Sequence, residues 1–244
     1  MKEQVKPYAS EQTSKKVQVR QMFDAISDRY DSLNRVISFG IDIRWRNHLI
    51  QRVLDQNPKK VLDVATGTGD LALSLAQKNN SIDIVGLDLS PGMLDLGKVK
   101  IEQAQKSEQI QMILGDSEAL PFEDNSFDAV MVAFGVRNFE NLDQGLREIL
   151  RVLRPQGQLT ILETAVPQSF VLRMGYRFYT AGIMPLIGRL FSSDKNAYSY
   201  LSDSAVAFPC GADFNNILTK NGFISVQDFP QTLGVASIYS AYKP

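Results

Sequence analysis

Four aspartates stand at fixed offsets around a glycine turn. Asp63 and Asp70 flank Gly67, Thr68 and Gly69 in the run VLDVATGTGD (61–70), Asp88 follows within GLDLS, and Asp116 precedes Ser117. Glycines adopt backbone conformations closed to other residues and let a ligand approach the main chain. Gly67, Gly69, Ala72 and Asp88 satisfy the dinucleotide fingerprint G-x-G-x-x-A, in which the distal acid takes ribose hydroxyls. A nicotinamide-dependent oxidoreductase is therefore one reading. Asp70 opposes it, because it stands at the helix start where a pyrophosphate would rest, and Asp63 lies on the strand below. Carboxylates there repel phosphates, but they attract an adenosine that carries a sulfonium and an ammonium instead. That ligand is S-adenosylmethionine, and the chemistry is methyl transfer.

A second group follows the apolar run AVMVAF (129–134). Gly135, Val136, Arg137 and Asn138 place a permanent cation and an amide beside the expected position of the sulfonium methyl. Arg137 can stabilise a phenolate or hold a water. The plain alternative is a loop salt bridge to an acid such as Glu140. Asp88 is expected to hold both ribose hydroxyls, with a helix N-cap as its alternative, although Ser90 already fills that cap. Asp116 and Ser117 suit the adenine amino group and ring nitrogen, and the alternative for Asp116 is a turn. Met93, Met112 and Met131 read as core, and His48 as a surface or interface residue. With one His and one Cys (Cys210) there is no cluster for a metal and no intramolecular disulfide.

These residues need a scaffold that gathers strand ends. Hydrophobic periodicity gives helices over Val17–Tyr30 and Ile43–Leu54. From Lys60 strands (60–65, 82–87, 110–114, 126–133, 157–163) alternate with helices (70–78, 91–105, 142–153), and a helix over 212–221 precedes strands Phe223–Phe229 and Ala236–Tyr242. Alternation predicts a parallel doubly wound sheet, with ligands at the carboxyl ends of its strands. The short link Pro230–Gly234 predicts an antiparallel hairpin. The expected fold class is thus α/β, a Rossmann-like class I S-adenosylmethionine-dependent methyltransferase with a seven-stranded, mostly parallel sheet. We expect a flexible N-terminus over 1–14 and a single domain over 15–244, with N-terminal helices at 15–55. An insertion at 167–209 is read as a substrate lid. Its first half is apolar and aromatic with interspersed arginines, and its second half carries Tyr198 and Tyr200, candidate substrate-binding residues. An amphipathic helix pair that merely caps the sheet would look the same.

Lys plus Arg (26) and Asp plus Glu (27) give a net charge of -1, so no global field attracts nucleic acid. No apolar run reaches membrane-spanning length, and a cytoplasmic protein is expected. Phe170, Tyr176, Phe178, Tyr179, Leu190 and Phe191, with Arg173, Arg177 and Arg189, suit peripheral contact with the inner face of a membrane. Self-association as a homodimer is left open.

Taken together the chain resembles the ubiquinone/menaquinone-biosynthesis C-methyltransferase family from about Phe23 to the C-terminus. One signature matches at Tyr30, Asp31, Asn34, Ser38 and Trp45, with Leu33 and Asp42 where the family more often has Met and His. A second matches Arg151, Val152, Leu153, Pro155, Gly157, Leu159, Leu162 and Glu163, with Gln156 and Ala165 as departures. The FGVRN segment and the stretch from Asp194 to Ser204 resemble it too. Ala133 replaces a cofactor-contacting Ser of some relatives, so no role is carried there. The resemblance implies methylation of a ring carbon on a membrane-borne polyprenylated quinol. Thr68, Asp88, Asp116 and Ser117 match cofactor positions, and Arg137 and Asn138 a catalytic pair acting through a water. The pattern at Leu33 and Asp42 favours demethylmenaquinol, with the benzoquinol precursor of ubiquinone as the alternative and a non-catalytic scaffold as a more distant one.

Overall fold

A computed structural model describes residues 5–8, 11–179, 182 and 195–244, apart from the side chains of Arg177, Lys195 and Tyr198. Seven strands form one sheet: β1 (Lys60–Val64), β2 (Asp83–Asp88), β3 (Ile110–Leu114), β4 (Phe127–Ala133), β5 (Leu153–Thr164), β6 (Ile224–Gln231) and β7 (Ala236–Tyr242). Their order is β3-β2-β1-β4-β5-β7-β6. The first five run parallel, and β7 inserts antiparallel between β5 and β6. The expected fold class is the one observed.

Successive side chains of a strand face opposite sides of a sheet, and the core obeys this. On one side Leu62, Val64, Val130 and Val132 pack against Leu146 and Ile149 of α5 (Leu142–Val152) and Phe214 of α8 (Ala212–Lys220). On the other, Val61, Ala129 and Met131 meet Leu49 and Val53 of α2 (Ile41–Leu54) and Leu75 of α3 (Asp70–Lys78). A third cluster joins α1 (Lys15–Ile37), α4 (Pro91–Gln103) and α7 (Lys195–Ala207) through Met22, Met93 and Tyr200.

Most boundaries shift by no more than two residues, and two elements depart further from expectation. Helix α1 begins two residues earlier and runs seven residues beyond Tyr30, capped by Ser14 accepting from the Val17 N–H. Strand β5 begins at Leu153, because Arg154–Gly157 bulge out between the pairs Phe127/Leu153 and Ala129/Gln158. Gln156 takes a left-handed conformation there, so Pro155-Gln156-Gly157 resembles a turn and conceals the strand. The described part of the N-terminal segment expected to be flexible packs on the body. Val5 and Tyr8 touch the α1 cluster, Pro7 is buried, and the Tyr8 N–H donates to Gln18 at 2.9 Å.

Within the insertion, α6 (Phe170–Phe178) and α7 are described. Residues 180–181 and 183–194, including Arg189, Leu190, Phe191 and Asp194, lie outside the described residues. Among the described residues no helix is long and apolar enough to cross a membrane, and no group of acidic, His or Cys side chains could hold a metal ion.

Candidate active site

The loop after β1 takes its shape from backbone that only glycine adopts cheaply. Gly67 and Gly69 have φ of 58° and 76°, and Gly69 is the N-cap of α3. A Cβ at Gly67 would meet nothing within 4 Å. This open face looks onto a cavity of about 80 Å³ whose lining includes Gly67, Asp88, Leu89, Asp116, Ser117 and Asn138. Asp88 is fixed before any ligand arrives. One carboxylate oxygen accepts from the Gly67 N–H at 2.8 Å and the other from the Ser90 N–H at 2.9 Å. Burial raises its pKa, partly offset by those backbone donors. Ser90 is the true N-cap of α4, accepting from the Met93 N–H. Asp88 is thereby left as a carboxylate in the cavity wall.

Helix α1 closes this cleft from above, placing Lys16, Val19, Arg20 and Phe23 in its lining. Lys16 Nζ donates to Asp116 at 2.6 Å and lies 3.1 Å from Glu118. The other Asp116 oxygen accepts from the Glu118 N–H. The lining is thus a mixture of acids and bases, with α1 supplying the bases.

Four predicted cofactor residues, Asp63, Thr68, Gly69 and Asp70, lie beside the cavity instead of in its wall. The Thr68 hydroxyl donates to Asp31 of α1 at 2.8 Å and accepts from Lys100 of α4. Asp70 pairs with Lys100 at 2.7 Å and with Arg46 and Arg35. Burial alone would raise its carboxyl, but these cations outweigh burial and hold it below the ordinary range. The charge at the helix start is therefore neutralised, and the repulsion of phosphate expected from Asp70 is weaker than the sequence suggests. Asp63 is buried under the loop and accepts from the Thr66 hydroxyl at 2.7 Å. Burial pushes its pKa up to about 7. It braces the loop from beneath, with Gly69 held at the turn into α3.

The turn after β4 carries the second group. Phe134 has φ 59°, and Val136–Asn138 form one 3-10 turn. Arg137 is an ion-paired residue, but its partner is Glu163 at the end of neighbouring β5, at 2.5 Å, with both side chains buried. Glu140 instead accepts from the Lys15 backbone N–H. Lys15 Nζ donates to the carbonyls of Arg137 and Phe139, each at 2.9 Å, tying α1 to the turn. Asn138 is clamped at both ends of its amide. Its oxygen accepts from the Tyr200 hydroxyl at 3.0 Å, and its Nδ2 donates to the Phe134 carbonyl at 3.3 Å. Tyr200 is buried behind Asn138, so it positions that residue from outside the two cavity walls. The Tyr198 side chain lies outside the described ones.

Glu163 is the residue that sequence reasoning passes over as a role. Its signal was its place at the carboxyl end of a strand adjacent to β4, inside the second signature.

A larger cavity of about 490 Å³ opens beyond the turn, with mostly apolar walls. Trp45, Val171, Leu172, Tyr176, Leu201 and Leu233 supply the apolar surface, and Asn34, Asp42, Arg46 and Arg137 the polar points. Tyr30 and Phe134 line both cavities, so the two meet at the turn carrying Arg137 and Asn138. Burial raises the pKa of Tyr30 and Tyr200 and pushes Tyr176 up to about 12, so all three stay neutral at physiological pH. They are hydrogen-bond donors, unsuited to act as bases.

A parallel sheet with an antiparallel β7, a glycine loop bonded to the acid at the end of β2 and an adjoining apolar chamber define a Rossmann-like methyltransferase of class I. The chain belongs to the ubiE/COQ5 methyltransferase family, whose pattern it matches over residues 11–243. It is 41% identical over 241 residues to a demethylmenaquinone methyltransferase of Bacteroides fragilis, covering 99% of this chain and 98% of the relative. It is 43% identical to the ubiquinone/menaquinone biosynthesis C-methyltransferase UbiE of Geobacter sulfurreducens, covering 95% and 90%. Among solved structures, a SAM-dependent methyltransferase of Thermotoga maritima aligns with a TM-score of 0.64 at 18% identity, covering 92% of this chain and 99% of that one. The cyclase SpnF aligns with a TM-score of 0.68 at 19% identity, covering 93% and 95%. At such identities the likeness establishes the fold alone. The nicotinamide reading is set aside by the family, and the enzyme is a methyltransferase.

Proposed function

We propose that the protein transfers a methyl group from S-adenosylmethionine to a ring carbon of a polyprenylated quinol, with demethylmenaquinol as the preferred acceptor. The observation that carries this reading is the meeting of a small polar cleft and a large apolar chamber at Tyr30 and Phe134, beside Arg137 and Asn138. The methyl donor is assigned to the small cleft by the residues that line it. Asp88 is preset for two ribose hydroxyls, Asp116 and Ser117 face the adenine end, and the open face of Gly67 admits the chain's close approach. Asp63, Thr68, Gly69 and Asp70 shape the loop from behind. Bound there, S-adenosylmethionine supplies an electrophilic methyl group.

An apolar ring with two hydroxyls suits the larger chamber. A ring carbon becomes nucleophilic as a neighbouring hydroxyl loses its proton, and only about a thousandth of a phenol is ionised at pH 7. Arg137 counters this. Its pairing with Glu163 reduces its net field, but the guanidinium still lines the chamber where the two cavities meet and can steady a developing phenolate. Asn138, clamped by Tyr200, presents its amide at the same junction. Trp45, Leu201 and the α6 side chains give the chamber apolar walls, and a lower local dielectric strengthens each polar contact there.

Helix α6, which supplies Val171 and Leu172 to the chamber wall, also exposes Phe170, Met174 and Phe178. They suit peripheral contact with a cytoplasmic membrane face, from which a lipid-tailed acceptor could enter. A homodimer is compatible with this arrangement and awaits a sedimentation measurement. Names of relatives include both menaquinone and ubiquinone biosynthesis. Labelled S-adenosylmethionine offered in parallel with demethylmenaquinol and the benzoquinol precursor tests the choice. Label in the naphthoquinol alone is expected, and label in neither would overturn the proposal.

A further inference from the structure

The cleft assigned to the methyl donor is nearly closed. Its volume of about 80 Å³ is well below the ~300–1,000 Å³ of pockets that bury a small molecule, so part of its lining must give way when the donor binds. Most of that lining is held from behind. Asp88 and Asp116 accept from backbone N–H groups. Helix α1, which roofs the cleft, is pinned at two points. Buried Lys15 donates to the carbonyls of Arg137 and Phe139, and Asp24 accepts from the Ser90 hydroxyl and the Gly92 N–H. What remains are the long α1 side chains in the lining, Lys16 and Arg20.

Of these, Lys16 is engaged at the carboxylate assigned to the donor's adenine. Its Nζ lies 2.6 Å from one oxygen of Asp116 and 3.1 Å from Glu118. The other Asp116 oxygen already accepts from the Glu118 N–H. A ligand N–H bonding to the first oxygen therefore competes with the ammonium for it. The Lys16 and Asp116 side chains are each 28% exposed, so the ammonium reaches water by turning about its own flexible four-carbon stem. Helix α1 can stay where Lys15 and Asp24 hold it.

We propose that Lys16 is a gate on the donor cleft, a role that rests on the assignment of the adenine end to Asp116: without ligand it occupies that carboxylate, and the donor binds only after the ammonium has swung out to solvent. A pair that must break before binding slows association. It leaves dissociation alone, because in the bound state the carboxylate has a new partner. The gate lowers affinity in proportion to the fraction of molecules in which it is shut.

The test measures association and dissociation of S-adenosylhomocysteine by rapid mixing with wild type and with Lys16→Met. This ligand has no net charge, so loss of a lysine does not by itself speed its approach, and methionine keeps an apolar stem. Lys16→Met should associate about three- to tenfold faster, a factor between the worth of an exposed ion pair and that of a hydrogen bond to a charged group. Dissociation should be nearly unchanged, so that Kd falls by the same factor. Glu118→Gln loosens the gate from its other side, while its amide oxygen can still accept from the Glu140 and Asn141 N–H groups. It should speed association by less. Unchanged association in Lys16→Met would mean that the cleft admits its ligand with the ammonium in place. Faster dissociation with weaker binding would make Lys16 a contact of the bound donor. Either result overturns the gate. The adenine assignment fails separately, if Lys16→Met/Asp116→Ala binds S-adenosylhomocysteine as tightly as Lys16→Met. Should a melting curve show Lys16→Met to be unfolded, Glu118→Gln supplies the same comparison.

Discussion

The two cavities are built by opposite strategies. In the proposed donor cleft, Asp88 and Asp116 come from strand ends and the adjoining loops, and the backbone itself fixes them: Gly67 and Ser90 N–H groups hold Asp88, and the Glu118 N–H holds Asp116. In the acceptor chamber, side chains from α1, α2, the β4 turn, α6, α7 and the β6–β7 link meet across the length of the chain, from Tyr30 to Val235. One wall follows from the sheet and the other from helix packing. A cleft held by backbone donors tolerates variation around it. A chamber assembled from distant side chains can change its ligand without disturbing the sheet.

The largest effect that would break this division belongs to Arg137. Arg137→Ala is expected to lower turnover by about 10²–10³, the scale of a removed electrostatic stabiliser, with S-adenosylmethionine affinity changed only a few-fold. Removing one member of a buried pair costs about 3–5 kcal/mol of stability, so the double variant Arg137→Ala/Glu163→Gln serves as the folded control. Arg137→Lys should also lose much of the rate, since an ammonium cannot reproduce a planar guanidinium that reaches Glu163 and the acceptor together. Near-normal turnover in a folded variant would make Arg137 a structural ion pair and shift attention to Asn138.

Next in size is Asp88→Ala. It should weaken S-adenosylmethionine by about 1.5–3 kcal/mol, as for a hydrogen bond to a charged group, leaving the acceptor KM near wild type. A matched change in both constants would show that the cavities do not act separately. The nicotinamide dinucleotides should bind negligibly, as a titration would reveal.

A smaller effect probes the chamber's outer rim. Phe170 and Phe178 are 74% and 72% exposed, so Phe170→Asp/Phe178→Asp should reduce flotation with liposomes while turnover on a short-tailed, soluble quinol persists. Equal flotation, or none for either protein, would remove the membrane from the account.

The smallest effect lies under the glycine loop. An unfolded chain releases the Asp63 proton near pH 3.8, whereas the folded protein holds it to about 7. Between those values the folded state binds more protons, so this group's contribution to stability falls as pH rises toward 7 and is level above it. Asp63→Asn should therefore gain stability relative to wild type across that window in a series of melts. A constant difference from pH 4 to 7 would contradict the buried, proton-holding carboxyl.

The sequence made the donor cleft legible because strand ends, glycine turns and acids lie at short, regular offsets. The helix Asp70–Lys78 and the strand Ile110–Leu114 follow from periodicity alone, without adjustment at either end. What escaped it was pairing over distance. Asp70 reads as a free acid until Lys100, Arg46 and Arg35 fold against it. Arg137 reads as an unpaired cation with Glu140 as its nearest sequence partner, yet β5 delivers Glu163 from 26 residues away. Tyr200 reads as a substrate contact, and only the packing of α7 on α1 turns its hydroxyl toward Asn138. Charges and hydroxyls acquire their roles from neighbours that hydrophobic periodicity does not specify.

Strand β7 lies between β5 and β6, so the segment a ribosome delivers after the other six strands must enter between two strands made before it. Until residues 236–242 arrive, β6 has no strand to join. The link carrying Thr232, Leu233 and Val235 cannot then close its side of the acceptor chamber. The donor cleft, whose strands have all emerged by Ala133, can take shape well before that. A growing chain would thus gain a place for the methyl donor while the place for the acceptor was still open, and contacts between segments so far apart are the slow ones to form. During synthesis the two halves of the reaction are separated in time as they are later separated in space.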